Sequence, residues 1–262
     1  MMKRIGGSPE KALNNDFKLD TNALLQQAWN LTKSTILPLL GALLLIWAIS
    51  QAGGYLLQSF FDFQMPETPE EFESMVLPTG FVLSMLVLYF FLLLPMQAAM
   101  YKMGIRNAAA VEAEYPETYK NKPLMVFNYL SNPFRYGGVE LLRGIIPVVA
   151  LVIGIMIHPF VGFALAGFVA ISLQLSTPLV VQDGLNPFKA IGVSFRVIAK
   201  NFVPFLVITF VMIVLVFLSA LLLFIPLLWF VPMYYNLIGL VYKDVFGIEV
   251  EISDQADINT VV

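Results

Sequence analysis

Residues 201–243 read NFVPFLVITFVMIVLVFLSALLLFIPLLWFVPMYYNLIGLVYK, and between Lys200 and Lys243 the run holds no acid or base other than tyrosines. About 40 residues make roughly 60 Å of helix at 1.5 Å per residue. One bilayer crossing takes about 20 apolar residues. The run therefore predicts two spans and a tip. Ile225-Pro226 marks the tip, because a residue before proline disfavours the helical region.

The same reasoning extends toward the N-terminus. Between Arg143 and Asp183 the only acid or base is His158, and His158-Pro159 divides that interval into a second hairpin. Lys33 and Asp62 bracket one span's worth of apolar sequence, and Glu73 and Lys102 bracket another. The six expected spans are 36–60, 77–102, 144–157, 160–181, 203–224 and 227–243. The third is short: it either begins within the preceding amphipathic segment or does not cross fully.

Composition agrees. The 262 residues are 58% hydrophobic and 13% charged, whereas soluble domains average about 45–50% and about 25%. Disorder is excluded by the same figures. A net charge of -3 gives no nucleic-acid signature. Zero Cys and one His exclude disulfides, thiolate chemistry and multi-His metal clusters.

Lys and Arg set the orientation. Lys3, Arg4, Lys11, Lys18 and Lys33 precede the first span, and the following loop holds Asp62, Glu67, Glu70, Glu71 and Glu73 with no base. The remaining bases fall after spans two, four and six. Six spans with both termini cytoplasmic place every Lys and Arg inside. Met1 to Lys33 has no apolar stretch of signal-peptide type. The chain divides into a cytoplasmic segment 1–34 with an amphipathic helix, a membrane domain 35–247, and an acidic tail 248–262. In the acidic loop, Thr68-Pro69-Glu70-Glu71 fits a helix-capping pattern.

An internal repeat is visible. Residues 132–139 read NPFRYGGV and residues 186–193 read NPFKAIGV. Each leads through a base to a proline and an apolar span, as Arg143…Pro147 and Lys200…Pro204, and Lys33…Pro38 repeats the ending. This predicts three units, each an amphipathic interfacial helix followed by a transmembrane hairpin. In 187–200, at about 100° per residue, Lys189, Arg196 and Lys200 share a narrow stripe. Phe188, Ile191, Phe195, Ile198 and Phe202 fall on the opposite face. Such a helix lies among headgroups with its bases toward anionic lipid. Arg135, Arg143 and Lys33 are the corresponding bases of the other two units. The plainer alternative is that these helices only set the entry angle of each hairpin.

Catalysis or pumping within a membrane requires ionisable groups at depth, and the predicted spans offer almost none there: Lys102 and Lys243 stand at span ends, and His158 lies at a tip between two spans. No phosphate-cradling glycine loop is present, and no cofactor is implied. Three amides, Gln97, Gln174 and Asn236, occupy comparable late positions in spans two, four and six. They are expected either to bond neighbouring helices or to line a polar funnel for a headgroup.

Asp183-Gly184, Pro187, Ala190-Ile191, Ser194 and Asn201, with Pro232 and the closing Tyr242-Lys243-Asp244-Val245-Phe246-Gly247, resemble uncharacterised multi-pass bacterial inner-membrane proteins. These include YciC and the membrane domain attached to some glycerophosphodiester phosphodiesterases. The resemblance implies a bacterial inner-membrane location. It transfers no activity, since the soluble phosphodiesterase barrel has no counterpart here. The expected function is non-enzymatic, in envelope or lipid homeostasis, through anionic-lipid contact, a protein partner or homo-oligomerisation. A small transporter for an amphipathic molecule is the alternative: a cavity lined by the three amides favours it, and a packed centre disfavours it.

Overall fold

The computed structural model describes residues 2–63, 68, 76–113 and 116–251. The acidic residues Glu67 to Glu73 and the tail beyond residue 251 lie outside the described residues. The chain is almost wholly helical. In order it contains β1 (Met2–Ile5), α1 (Pro9–Leu13), α2 (Thr21–Phe60), α3 (Thr79–Ala110), α4 (Pro133–Ile155), α5 (Pro159–Ser172), α6 (Ser176–Asp183), α7 (Pro187–Lys200), α8 (Phe202–Leu221), α9 (Leu227–Phe246) and β2 (Ile248–Glu251). Five stretches are long and apolar enough to cross a membrane: α2, α3, α4, residues 159–183, and α8. The chain is thus all-α, with several helices long and apolar enough to cross a membrane.

Two of the three expected interfacial helices are not separate. Asp20 caps α2 by accepting from the Asn22 and Ala23 amides at 3.1 and 3.0 Å, and the helix then runs 40 residues through Lys33 and Pro38. Thr32 and Thr35 turn their hydroxyls back onto the Ala28 and Leu31 carbonyls, at 2.7 and 2.8 Å, so no polar group interrupts it. Asn132 caps α4, which passes straight through Arg143 to Ile155 over 23 residues. The third span is therefore long enough because it starts inside the amphipathic segment. Only α7 is set off from its span, at Asn201.

In α3 the residues Tyr89–Leu93 form a wide turn just before Pro95. A proline ring clashes with the carbonyl four residues back, and widening the turn relieves it. Helices α4 and α5 form a tight hairpin. A Cβ on Gly154 would stand 2.5 Å from the Gly162 Cα. His158 is the N-cap of α5, its Nδ1 accepting from the Phe160 amide at 3.3 Å. The α8–α9 tip instead uses Leu223 and Phe224 in the left-handed region.

Helix α9 is the centre. From Pro232 to Phe246 nearly every residue is buried between α2 and α3. The closest approach is backbone on backbone: a Cβ on Gly104 would meet the Tyr235 carbonyl oxygen at 2.0 Å, and one on Gly239 would meet the Gly104 carbonyl oxygen at 2.3 Å. Small residues permit such contact between apolar helices. The core joins Leu24 and Ala28 of α2 to Ile105 and Ala108 of α3 and to Leu237, Val241 and Val245 of α9. A smaller cluster joins Leu39, Ala42 and Ile46 of α2 to Met96, Met100 and Met103 of α3.

The ends of the chain meet. β1 pairs antiparallel with β2, from Met2 opposite Glu251 to Ile5 opposite Ile248. Thus the expected C-terminal tail begins as a strand, because Ile248 and Val250 alternate as buried residues beneath it. The Gly7 amide donates to the Lys243 carbonyl at 2.9 Å, and Lys243 reaches Glu112 at 2.5 Å.

Replacing Gly104 by Val should therefore cost more than about 3 kcal/mol, the upper part of the usual overpacking range. A Cβ on Gly167 meets nothing within 4 Å, so Gly167→Ala should be neutral or gain up to about 1 kcal/mol of helix propensity. Unfolding of the purified protein by a denaturing detergent measures both.

Candidate functional site

Three polar arrangements stand out, and sequence reasoning anticipated only parts of each. The first is a chain of amides in the core. Asn236 is fully buried. Its Nδ2 donates to Thr32 Oγ1 at 3.0 Å and Thr35 Oγ1 at 2.9 Å, and its Oδ1 accepts from Asn107 Nδ2 at 2.8 Å. Asn107 Oδ1 accepts in turn from Asn121 Nδ2 at 2.7 Å, and Asn121 Oδ1 accepts from Arg106 Nε at 3.1 Å. Every amide group of Asn236 is thereby used. The chain ties α2, α3, α9 and the segment after α3 together. Beside it lies a cavity of about 440 Å³ that includes Ser34, Thr35, Asn107, Tyr119, Lys120 and Asn121.

The second arrangement is a charged cluster within the bundle. Glu140 and Arg143, one turn apart on α4, face inward with 3.6 Å between Oε1 and a guanidinium nitrogen. Thr177 donates to the same Glu140 oxygen at 2.6 Å. The Arg143 guanidinium lies 5.0 Å from the Tyr101 ring centre, donates to the Tyr101 hydroxyl, and reaches the Tyr234 hydroxyl at 3.3 Å. Arg143 was expected among the headgroup-facing bases. The structure instead places its side chain, 18% exposed, against Glu140, Tyr101 and Tyr234.

The third is a cleft between α8 and α9, floored by the break between α5 and α6. The break frees the Ser172 carbonyl and the Leu175 amide. Buried Ser194 of α7 serves both, donating to the first at 2.8 Å and accepting from the second at 3.1 Å. This fixes Gln174, which is 6% exposed. Its Nε2 donates to Thr209 Oγ1 at 2.5 Å, Thr209 donates to the Phe205 carbonyl at 2.8 Å, and Gln174 Oε1 is buried with no partner. The cleft has a volume of about 370 Å³ and is otherwise mostly apolar.

The three predicted amides do not converge. Gln174 pairs with Thr209, Asn236 pairs with Asn107 and two threonines, and half-buried Gln97 bonds to neither. Steric reasons decide this: Gly104 and Gly239 bring α3 and α9 into contact, which leaves no axial space.

On α7, Lys189, Arg196 and Lys200 are exposed and form no ion pair among the described residues. Phe188 and Phe195 are also exposed, at 74% and 40%. The buried face is instead Ala190, Ser194, Val197 and Ile198. So the expected apolar face opposite the bases is really two faces, one against protein and one aromatic face pointing outward. Lys33 bonds to Asn30 of its own helix at 3.2 Å. Arg135 sits beside Gly184 at a cavity shared by the two Asn-Pro-Phe motifs, where Asn132 and Asn186 each cap a helix with Pro at its start. No protein family, curated protein or solved structure matches this chain.

The charged cluster makes a direct prediction. Arg143→Met leaves the Glu140 carboxylate without its base and should cost about 3–5 kcal/mol. Adding Glu140→Gln to it should restore most of that loss. Additive losses in detergent-induced unfolding would mean that the two charges do not depend on each other.

Proposed function

We propose that this chain is a six-crossing, non-enzymatic membrane module that holds anionic lipid at α7, with both termini cytoplasmic. The antiparallel pairing of β1 with β2 supports an even number of crossings, since it brings the two chain ends to one side. Helix α9, 20 residues long, supplies the sixth. It has fewer apolar residues than the other five because protein surrounds its second half. A bacterial inner membrane is the setting that the resemblance implies.

The observation that carries the lipid reading is the three-faced surface of α7. One face is held by protein, one offers three bases that form no ion pair among the described residues, and one offers exposed phenylalanines. Bases toward headgroups and aromatics toward acyl chains is the arrangement of an interfacial helix. The break at Asn201 lets α7 diverge from α8. The packed axis around Gly104, Gly239 and Asn236 counts against the transporter reading, which required the three amides on one cavity.

Two experiments test this, and the absence of native Cys simplifies both. An impermeant thiol reagent should label Asp62→Cys from outside intact cells, and Lys120→Cys only after the membrane is opened. The reverse pattern overturns the orientation. For α7, a dye is placed on Gly192→Cys, a position with open space around it. In bilayers its quenching by brominated phosphatidylglycerol should exceed that by brominated phosphatidylcholine. Each base near an anionic surface contributes about 1 kcal/mol. Changing Lys189, Arg196 and Lys200 to Gln should therefore abolish most of the preference, as should high salt. A preference that survives the triple change overturns the lipid role of α7.

A further inference from the structure

The cleft between α8 and α9 holds a buried acceptor that the protein does not use. In lipid no water competes for such a group, and leaving it unpaired is costly. Gln174 Oε1 is nevertheless unpartnered, although Thr209 and Tyr234 lie in the same lining. Ser194 clamps the backbone of the helix break on either side of Gln174, and the bond from Gln174 Nε2 to Thr209 Oγ1 holds the side chain at the cleft floor.

We propose that this cleft binds the hydroxyl of a neutral glycerolipid, a diacylglycerol in particular, with Gln174 as the recognising residue. The proposal takes α8 and α9 to lie in the bilayer and concerns a different surface from the basic stripe of α7. A hydroxyl both donates and accepts. It therefore satisfies the Gln174 amide in either of its two orientations, since turning the amide over leaves an N–H in the place of the carbonyl. A phosphate is disfavoured because the cleft lining contains no base, and Arg143, which bonds the lining residue Tyr234, is already paired with Glu140 and engaged by two tyrosine hydroxyls. An added anion there would have no counter-charge.

Depth agrees with this choice. Thr209 lies seven residues into α8 from Phe202, about 10 Å along the helix. With the start of α8 taken at the headgroup level, that is below the headgroup layer, where a lipid without a phosphate settles more readily than one with it. The mouth is lined by Ile213 and Val216, which are 60% and 45% exposed, while Met212 below them is 7% exposed. An apolar mouth over a polar floor accepts a molecule laterally from the bilayer, its chains remaining among the lipids. The volume of about 370 Å³ falls in the range of small-ligand sites, enough for a glycerol unit and the first chain carbons.

The test uses the full chain in phosphatidylcholine nanodiscs with photoreactive diacylglycerol, photoreactive phosphatidylglycerol or photoreactive phosphatidylcholine. Crosslinked peptides are read by mass spectrometry. Diacylglycerol should label the segments around Ile213–Val216 and Phe230–Val231 well above the other two lipids. Gln174→Leu should lower that labelling about tenfold while the unfolding midpoint of the lipid-free protein holds or rises, because Thr209 keeps its bond to Phe205. Val216→Trp, which obstructs the mouth without touching the polar floor, should lower labelling as well. Equal labelling by all three lipids, or labelling indifferent to Gln174→Leu in folded protein, overturns the proposal. If Gln174→Leu unfolds, undiminished labelling of Val216→Trp overturns it. The triple α7 change should leave diacylglycerol labelling intact, so the two lipid sites fail or stand separately.

Discussion

A buried amide in a lipid-facing bundle has no water to fall back on. Asn236 is such a group, and its partners come from α2 and α3. Those bonds set the rotation and height of α9 against both neighbours at once. A slip of one residue on α9 would rotate Asn236 by about 100° and orphan Asn107 together with it. Gly104 and Gly239 make the same demand sterically, since only their alignment allows the backbones to touch. Polar satisfaction and close packing thus select one register, and the remaining helices are arranged around it.

That centre explains why packing is uneven along the helices. The residues buried in α2, α3 and α9 concentrate toward the end that carries the chain termini. There the clasp of β1 on β2 and the Lys243–Glu112 pair close the bundle. Toward the other end, Leu56, Phe60, Met156, Phe160 and Leu223 are exposed, as lipid contact requires. Clefts between helices are then expected where neighbours diverge from the packed centre. The α8–α9 cleft has a polar floor at Gln174 and Thr209 and an apolar mouth at Ile213 and Val216.

Much of this was legible in the sequence, and the failures share one physical cause. The charge-free intervals enclose the most apolar helices, and His158-Pro159 marks a true helix start. What misled was treating every charge as a membrane boundary. Lys33 and Arg143 lie within continuous helices, and Arg143 has an internal partner one turn away in Glu140. A charge marks the end of a span only when it would otherwise meet lipid. In the same way, hydropathy on α7 could not separate the protein-facing Ala190 and Val197 from the outward Phe188 and Phe195. Asn107 and Asn121 went unread because each is an isolated polar residue whose partner is supplied by another element.

Helix α9, less apolar than the five candidate spans, is the long helix most enclosed by the others. Helix α9 is not among the five stretches that qualify by apolarity, and it carries Asn236, Lys243 and several tyrosines. Apolarity is a requirement of surfaces that face lipid, whereas a helix wrapped by protein can exchange apolar side chains for hydrogen-bonded ones. Its first turns, with exposed Leu228, keep the composition that lipid imposes. Its second half has the composition of a soluble core, because Tyr242 and Lys243 find Asp183 and Glu112 there. The gradient along this one helix follows its passage from partial lipid exposure into a protein-filled, polar environment. That gradient is why the most enclosed long helix is less apolar than the helices around it.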